Sequence, residues 1–511
     1  MFSLWAAAMA ATGFLYFAQV NHDLLYSFGG DETTYIVLAL ALSQGQGFTN
    51  VSKNPPVPQI HFPFFHPLLL SLVIRLFGLN IPLMKIMVIS IYLAGLLLFV
   101  DLMRLKKEAF VAGLAVLLAA SEAFPISYSR SLMSELPYVG LSLAALWAFG
   151  RAEESKRASA WLLLSAGLGL AAYYTRSAGV SLLAALAVAM IITARKSGEK
   201  INLWPRFAAA LIMAGGVLAW IAYCYKVGGA ESFEYFFEFL RAEHGKPDQS
   251  LGAVGILTRS AGNAFAYLKI LGRLIAPWIR NDSLTAGIVA ALLAVLGYAR
   301  LWQKKFLAVQ LYAAFYLLVI LGWDFADQRL LLPLYALIYF FIVSGAVFAG
   351  NLVRKGFGLR LAAVLTAAVF ALNFYYALPS VKKRGPVPGM DIGRHFRFVP
   401  TSSAHWDMMK LEVWAGENLP RQSKFLVNFS EDFFLMTGRP CVYPLPAAGA
   451  ASLDILTRYK VDYIFLGDAY PVYSDWFMTA ILSAPGLFEK VREIPRSHSA
   501  IYRFHWQRAQ K

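Results

Sequence analysis

Long apolar stretches separated by short polar connections dominate the chain. A stretch of about 17–25 apolar residues is long enough to cross the hydrocarbon core of a bilayer as a helix. Eleven such stretches predict transmembrane helices near 3–20, 82–103, 109–126, 135–150, 158–174, 177–194, 206–225, 284–300, 304–323, 330–349 and 359–378. No basic residues precede the first stretch, which favours an uncleaved anchor over a signal peptide.

Three larger segments lie between or after these stretches. The first loop, 21–81, and the second, 227–283, contain apolar residues at helical spacing, which predicts short helices at the membrane interface. These interfacial helices are predicted at 33–42, at 67–77 and around Phe233, Phe236, Phe237 and Leu240. In the tail, helical patterns at 403–418 and 454–460 alternate with strand patterns at 425–427, 463–466, 488–494 and 500–504. We therefore expect a transmembrane domain over 1–379 and a small α/β domain over 380–511.

The composition agrees with a membrane protein. Apolar residues make up 58% of the chain and charged residues 15%, whereas soluble domains have about 25% charged residues. This excludes a soluble secreted or cytosolic enzyme. A net charge of +16 would suggest a nucleic-acid partner in a soluble protein, but the distribution of the basic residues argues against one here.

Basic residues are concentrated in alternate connections. They are Arg104, Lys106 and Lys107; Arg151, Lys156 and Arg157; Arg195, Lys196, Lys200 and Arg206; Arg300, Lys304 and Lys305; and Arg354, Lys355 and Arg360. By the positive-inside rule these connections face the cytoplasm. Both large loops and the tail then lie on the outer side of the membrane.

Few ionisable residues remain on the predicted outer side: Asp31, Glu32, Arg130, Glu135, Arg176, Asp324, Asp327 and Arg329. Such groups at the edges of membrane spans are costly unless they pair or line a cavity, which makes them candidates for function. A carboxylate can accept a proton from an attacking hydroxyl, and a guanidinium binds phosphate oxygens in a bidentate manner. The combination predicts a site for a phosphorylated lipid.

Each candidate also has a structural alternative. Asp31 and Glu32 could cap and stabilise the start of the following helix. Arg130 and Glu135 could pair with each other, and Arg176 could extend towards lipid headgroups.

Similar alternatives exist for the remaining candidates. Arg329 could pair with Asp327 or Asp324 without any ligand. His61 and His66 could form a metal pair or could be interfacial residues, and Lys53 is expected to be a solvated loop residue.

Motifs of nucleotide and zinc chemistry do not occur in the sequence: it contains no Gly-rich phosphate loop, no zinc-type Cys/His spacing and no His-Glu-x-x-His. An outward-facing enzyme without nucleotide motifs needs a donor that is already activated in the membrane, and a polyprenyl-phosphate-linked sugar meets this need. Cys224 and Cys441 are expected to be unpaired thiols.

Five blocks along the chain resemble the GT-C class of integral-membrane glycosyltransferases, which includes protein O-mannosyltransferases and the aminoarabinose transferases of lipid A. The blocks are Gly30-Asp31-Glu32-Thr33-Thr34-Tyr35; Pro67-Leu68-Leu69; Ser129-Arg130 through Met133-Ser134-Glu135; Tyr174-Thr175-Arg176-Ser177; and Arg329-Leu330-Leu331-Leu332-Pro333. The tail, with Trp414-Ala415-Gly416-Glu417, is similar to the outer domain of many bacterial members.

The resemblance implies inverting transfer of a monosaccharide from a polyprenyl-phosphate donor to a hydroxyl of a protein, glycan or lipid. Asp31 would be the general base with Glu32 in support, and Arg329 and Arg176 would bind the donor phosphate. Supporting roles are implied for Arg130, Glu135, His66, Asp327 and Tyr35. No metal ligand is predicted, although a divalent metal requirement stays open.

One departure limits the resemblance. The lipid A branch has an acid and a lysine before a Pro-Pro-Leu, whereas this chain reads Phe64-Phe65-His66-Pro67-Leu68. The lipid A acceptor and that branch's metal site are therefore not carried over.

Two other classes of protein are alternatives. A transporter or flippase of a lipid-linked substrate should have broken helices with charges near the middle of the bilayer, whereas the apolar stretches here read as uninterrupted, with their charges on one face. A non-catalytic binder of polyprenyl lipids would not need Asp31.

Overall fold

The structure is a computed structural model, and it describes residues 2–26, 31–196, 203–229, 251–278, 283–302, 306–382, 390–391, 396–442, 451–468 and 471–509. The predicted helix around Phe233 to Leu240 lies outside these residues. So do Lys200, Lys304 and Lys305 of the charge pattern.

Helices form most of the chain before the tail. They are α1 (Phe2–Phe17), α2 (Asp31–Ser43), α3 (Phe65–Phe77), α4 (Ile81–Leu105), α5 (Ala109–Ser121), α6 (Ala123–Tyr128), α7 (Glu135–Glu154), α8 (Ala158–Thr175), α9 (Val180–Lys196), α10 (Trp204–Gly228), α11 (Ala253–Ile275), α12 (Leu284–Trp302), α13 (Leu307–Gly322), α14 (Gln328–Leu331), α15 (Tyr335–Val353) and α16 (Phe357–Lys382). Every predicted membrane span coincides with one or two of these helices, so the predicted polytopic helical fold is confirmed.

Several of these helices are distinguished by their length and apolar composition. In the described part of the chain, six segments are long and apolar enough to cross a membrane: Ile81–Leu105, Ser177–Ala194, Trp204–Gly228, Leu284–Trp302, Gln328–Val353 and Phe357–Pro379. Shorter apolar helices include Ser3–Phe17, Ala109–Ser121 and Leu307–Gly322. The protein is an integral, multi-pass membrane protein.

The third predicted span is interrupted, so its interpretation as an uninterrupted helix was wrong. Within the third span, α5 ends before Glu122, where the backbone is extended (φ −62°, ψ 138°). The Glu122 carboxylate then accepts the N–H of Phe124 at 2.6 Å and caps α6. The tenth begins with α14 and a 3₁₀ turn at Leu332–Leu334. Pro333 explains this 3₁₀ turn, because it has no N–H for the helical ladder.

The helix α2 is buried rather than interfacial. Thr33 to Ala39 are all buried, as is Ala41, which corrects the expectation of an amphipathic helix on the membrane surface. After its first turn, α2 carries apolar side chains on all its faces. A helix that is apolar all round packs inside a protein. Its buried position fixes the acidic first turn, Asp31 and Glu32, inside the molecule.

Close contact between α4 and α7 positions the start of α7. A Cβ atom on Gly140 would lie 2.2 Å from the carbonyl oxygen of Ile91, and one on Gly95 would lie 2.4 Å from Gly140 Cα. The two backbones therefore touch, and only glycine fits at these positions. Because α7 begins at Glu135, this packing also places one of the candidate site residues.

The tail contains the predicted α/β elements. Its helices are α17 (Ser403–Asn418), α18 (Ser430–Thr437), α19 (Ala451–Arg458), α20 (Pro471–Ser483) and α21 (Trp506–Ala509), and its strands are β5 (Met390–Asp391), β6 (Arg397–Pro400), β7 (Phe425–Leu426), β8 (Cys441–Val442), β9 (Tyr463–Leu466), β10 (Phe488–Ile494) and β11 (Ser499–Phe504). A core that includes Phe425, Phe433, Ile464, Phe465 and Ile501 holds them together.

The first loop contributes strands to the sheets of the tail. Its strands are β1 (Asp23–Tyr26), β2 (Thr49–Asn50), β3 (Lys53–Asn54) and β4 (Val57–Pro58). The main sheet has the order β10-β11-β9-β7-β8-β3, with β3 parallel to β8. A second sheet pairs β1 in parallel with β6. The predicted boundary at 379/380 is thus crossed by backbone pairing.

Lys53, at the start of β3, is not a solvated loop residue. Its side chain is 12% exposed and lies 3.3 Å from Glu431, and its ammonium donates to Ser430 Oγ at 2.5 Å. The prediction was wrong because the tail covers this part of the loop. Cys224 and Cys441 are free, buried thiols, as expected.

Candidate active site

Asp31 occupies the first turn of α2 and faces an arginine from a distant part of the chain. Its Oδ2 lies 3.7 Å from a terminal nitrogen of Arg329. Burial raises the pKa of Asp31 from its usual value to about 6, although Arg329 acts to lower it. The carboxyl group is therefore largely ionised at neutral pH and a stronger base than a solvated aspartate.

Arg329 is held in place by its own helix. Asp327 caps α14, because its Oδ1 accepts the backbone N–H of Arg329 at 2.8 Å, and its Oδ2 lies 3.4 Å from Arg329 Nε. The guanidinium also lies over the ring of Phe325, 5.8 Å from its centroid. The pairing of Arg329 with Asp327 is thus observed, and the arginine side chain is still 32% exposed, which leaves it accessible to a ligand.

A second ion pair lies beside the first. Glu135, completely buried, lies 2.6 Å from Arg176, whose side chain is 19% exposed. Both charges act on Asp31: Glu135 raises its pKa and Arg176 lowers it. Arg176 therefore does not extend to lipid headgroups, and Glu135 pairs with it rather than with Arg130. Nε of Arg130 donates to the side chain of Gln19 at 2.8 Å.

Tyr35 and His66 extend the site through polar and ring contacts. Arg176 donates to Ser134 Oγ at 3.1 Å, and the Tyr35 hydroxyl lies 3.1 Å from the same oxygen. The rings of Tyr35 and His66 meet edge to face, with centroids 4.8 Å apart. The structure therefore links Tyr35 and His66 to the Arg176–Glu135 pair.

His66 is a neutral, buried residue. Its Nε2 donates to the carbonyl of Leu132 at 2.7 Å, and burial lowers its pKa to about 4. His61 is exposed, so the two histidines occupy different environments. No group of three or more His, Cys, Asp or Glu side chains is arranged to hold a metal ion among the residues that the structure describes.

Glu32 has a different environment from its neighbour Asp31. Its two carboxylate oxygens accept backbone N–H groups, from Leu132 at 2.8 Å and from Leu25 at 3.2 Å. It therefore fastens β1 and the segment before α7 to the start of α2. The structure brings together Asp31, Asp327 and Arg329 with the second pair, but it turns Glu32 towards backbone.

Two polar residues of this region were not among the site residues predicted from the sequence. Ser134 bridges Arg176 and Tyr35, and Lys85 is a fully buried residue of α4. The Lys85 ammonium donates to Asn21 at 2.9 Å and to the carbonyl of Asp23 at 2.5 Å, which supports the strand that leads to α2. A lysine inside an apolar span is itself a signal, and it could have identified Lys85.

The chain matches known proteins in fold and in one stretch of sequence. Residues 61–220 match the family model described as dolichyl-phosphate-mannose-protein mannosyltransferase. No curated protein matches the chain significantly in sequence.

Solved structures match over nearly the whole chain. ArnT from Cupriavidus metallidurans, bound to undecaprenyl phosphate, is 13% identical and has a TM-score of 0.59, and the match covers 98% of each chain. The archaeal oligosaccharyltransferase AglB from Archaeoglobus fulgidus, in complex with an inhibitory peptide and a dolichol-phosphate, is 11% identical with a TM-score of 0.58. That match covers 95% of this chain and 72% of the other.

The chain has the fold of the GT-C glycosyltransferases, and the resemblance found in the sequence is confirmed.

Proposed function

We propose that this protein transfers a monosaccharide from a polyprenyl-phosphate-linked donor to an acceptor hydroxyl on the outer face of the membrane, with inversion at the anomeric carbon. The observation that carries the proposal is the pairing of Asp31, with a pKa of about 6, and Arg329 at 3.7 Å. A proton acceptor and a phosphate-binding cation stand side by side there.

The proposed reaction is a single displacement. Asp31 accepts the proton of the acceptor hydroxyl while the hydroxyl oxygen forms a bond to the anomeric carbon. The bond from that carbon to the phosphate oxygen breaks on the opposite side, and its electron pair leaves with the phosphate. Because lipid phosphate is a stable anion, no strong general acid is needed. A base with a pKa near the working pH is well suited to the first step.

Arg329 is the first candidate to bind the leaving phosphate. Its guanidinium is held by Asp327 and is partly exposed, and charge placed in advance at the leaving group stabilises the transition state. Arg176 already has a buried carboxylate partner in Glu135. We therefore assign Arg176 a supporting role. Its charge lowers the pKa of Asp31 and adds positive charge near the phosphate.

The similar proteins support a lipid-linked donor. ArnT was solved with undecaprenyl phosphate and AglB with a dolichol-phosphate, and the matched family is named for dolichyl-phosphate mannose and protein acceptors. The acceptor is a protein, a glycan or a lipid. The protein lies in a bacterial inner membrane, with Asp31 on the periplasmic side.

The Asp31→Asn variant tests the base. The purified full chain is given a radiolabelled undecaprenyl-phosphate sugar and an extract of envelope acceptors, and the labelled product is counted. We expect transfer to fall by about 10²–10⁴-fold, the usual contribution of a general base, with donor binding little changed. Asp454→Asn, in an exposed pair on α19, is the matched control. Transfer near the wild-type rate would refute the role of Asp31.

Donor binding, vesicle transport and product formation, measured with the same labelled lipid, separate the alternatives. In Arg329→Ala, donor binding should weaken, and unchanged affinity would remove its phosphate role. A transporter would move the labelled lipid across vesicle membranes without forming a new glycosidic bond, and a non-catalytic binder would give no product in the wild type.

A further inference from the structure

A cavity in the tail lies apart from the candidate active site. Its volume is about 510 Å³, and its lining includes Ser403, Trp406, Asp407, Lys410, Asp468 and Arg496. All its lining residues come from the start of α17, the end of β9 and the turn between β10 and β11. The volume is within the range of sites that hold small ligands.

Charged groups of both signs line this cavity. Lys410 pairs with Asp407 at 2.9 Å and lies 5.4 Å from the centroid of the Trp406 ring. Asp468 faces His498 at 3.5 Å. Arg496 is exposed and makes no ion pair with any residue that the structure describes. Two acidic and two basic side chains therefore surround one aromatic wall.

This lining fits a neutral, hydroxyl-rich ligand. Each sugar hydroxyl is both a donor and an acceptor of hydrogen bonds, so it is satisfied by carboxylates and cations placed together. The C–H face of a sugar ring can pack against an aromatic side chain such as Trp406. A purely apolar ligand would leave the charges unsolvated, and an anion attracted by Lys410 and Arg496 would be repelled by Asp407 and Asp468.

The cavity is connected to the first loop through α17 and β6. Trp406 packs against the core that the membrane helices share with tail residues such as Phe398 and Met409. The helix α17 follows β6, which pairs with β1, and Arg397 of β6 forms an ion pair with Asp23 of β1 at 2.7 Å. Because β1 leads into α2, the cavity is connected through one strand pair to the segment that carries Asp31.

We propose that the cavity lined by Trp406, Asp407, Lys410, Asp468 and Arg496 is a binding site for a neutral saccharide, separate from the Asp31 site. The saccharide could come from a glycan acceptor or from the sugar of the donor lipid, and the two sources share this chemistry.

Binding is tested by saturation-transfer NMR on the full chain in a detergent without sugar groups, such as lauryldimethylamine oxide. The probes are maltose, lactose and N,N′-diacetylchitobiose, with glucuronate and inorganic phosphate as anionic probes. We expect at least one neutral disaccharide to receive saturation from the protein. Arg496→Ala, at an exposed position, should raise the Kd of that disaccharide by about tenfold. Trp406→Leu should raise the Kd further. Arg503→Ala, an exposed arginine on β11, is the matched control.

Further variants locate the site and separate this proposal from the proposed transfer. Asp31→Asn and Arg329→Ala should leave disaccharide binding unchanged even if they abolish transfer. Loss of binding in Arg329→Ala with retention in Arg496→Ala would place the sugar in the donor site and overturn the proposal. It would also be overturned if no neutral disaccharide bound, if only anions bound, or if neither cavity variant weakened binding.

An added donor lipid distinguishes the sources. If undecaprenyl-phosphate sugar displaces the disaccharide from the wild-type cavity, the site takes the donor sugar. If the disaccharide stays bound, the site takes the acceptor glycan.

Discussion

Asp31 sets the expected pH dependence of the reaction. Burial raises the pKa of this carboxyl to about 6, and only the ionised form can accept the proton of a hydroxyl. As the pH falls through 6 the carboxyl becomes protonated, so we expect the transfer rate at saturating donor to fall about tenfold per pH unit below 6. A rate profile between pH 4.5 and 8 measures this.

Arg329 supplies the internal control for that profile. Its charge lowers the pKa of Asp31, so Arg329→Gln should move the midpoint to a higher pH, provided that donor is kept saturating. A rate that stays flat down to pH 5, or a midpoint that does not move in this variant, would contradict the assignment of Asp31 as the titrating group.

Glu32 marks the limit of what adjacent acids reveal in a sequence. Asp31 and Glu32 are neighbours in the chain, but successive side chains of a helix point in different directions. One faces Arg329 and the other accepts two backbone N–H groups. The sequence predicted an acidic site here, and it could not predict the division of roles, because the backbone partners come from Leu25 and from a segment a hundred residues away.

Among the helices, the contact between α4 and α7 should be intolerant of any side chain. A Cβ at Gly140 would lie 2.2 Å from the backbone oxygen of Ile91, and a backbone atom cannot rotate away. We expect Gly140→Ala to lower the free energy of unfolding in detergent by about 1–3 kcal/mol and to reduce transfer by displacing Glu135.

Gly167→Ala on α8 is the matched control for this substitution. No atom lies within 4 Å of a Cβ at Gly167, and alanine favours the helix, so this variant should be neutral or more stable by up to about 1 kcal/mol. Equal thermal unfolding of the two variants would show that α4 and α7 can separate at no cost.

The positions of the helices followed from the sequence better than their surroundings did. Apolar length is a local property, and it predicted a helix at each span. The break at Glu122 could not be predicted in this way, because one glutamate within an apolar run also fits a continuous helix. The burial of α2 depends on other segments, chiefly α3, and β3 pairs with β8 hundreds of residues away. Periodicity within one segment does not report either contact.

At the scale of the whole molecule, the tail is attached to the first loop by strands and by buried polar contacts. The Lys53–Glu431 pair is the central contact, and Asn50 donates to Glu431 at 2.7 Å. Burial acts to raise the pKa of Glu431, but Lys53 and Asn50 outweigh it and leave the pKa below its usual value. The contribution of the Lys53–Glu431 pair to the attachment is therefore full when the pH lies above the usual pKa of a glutamate. It is lost as the pH falls through the lowered pKa.

Lys53→Met should detach the tail from the first loop. It leaves the Glu431 carboxylate buried without its cation, and removal of one partner of a buried pair costs about 3–5 kcal/mol. We expect thermal unfolding of the tail at a lower temperature and faster cleavage between the membrane part and α17 in limited proteolysis. Lys53→Met combined with Glu431→Met should recover much of the loss, since an apolar pair can replace a buried ion pair.

Arg458→Ala, in an exposed pair on α19, should change stability by no more than about 0.5 kcal/mol. If Lys53→Met behaved like this exposed control, the tail would be held by its strands alone, and the Lys53–Glu431 pair would contribute nothing to the attachment.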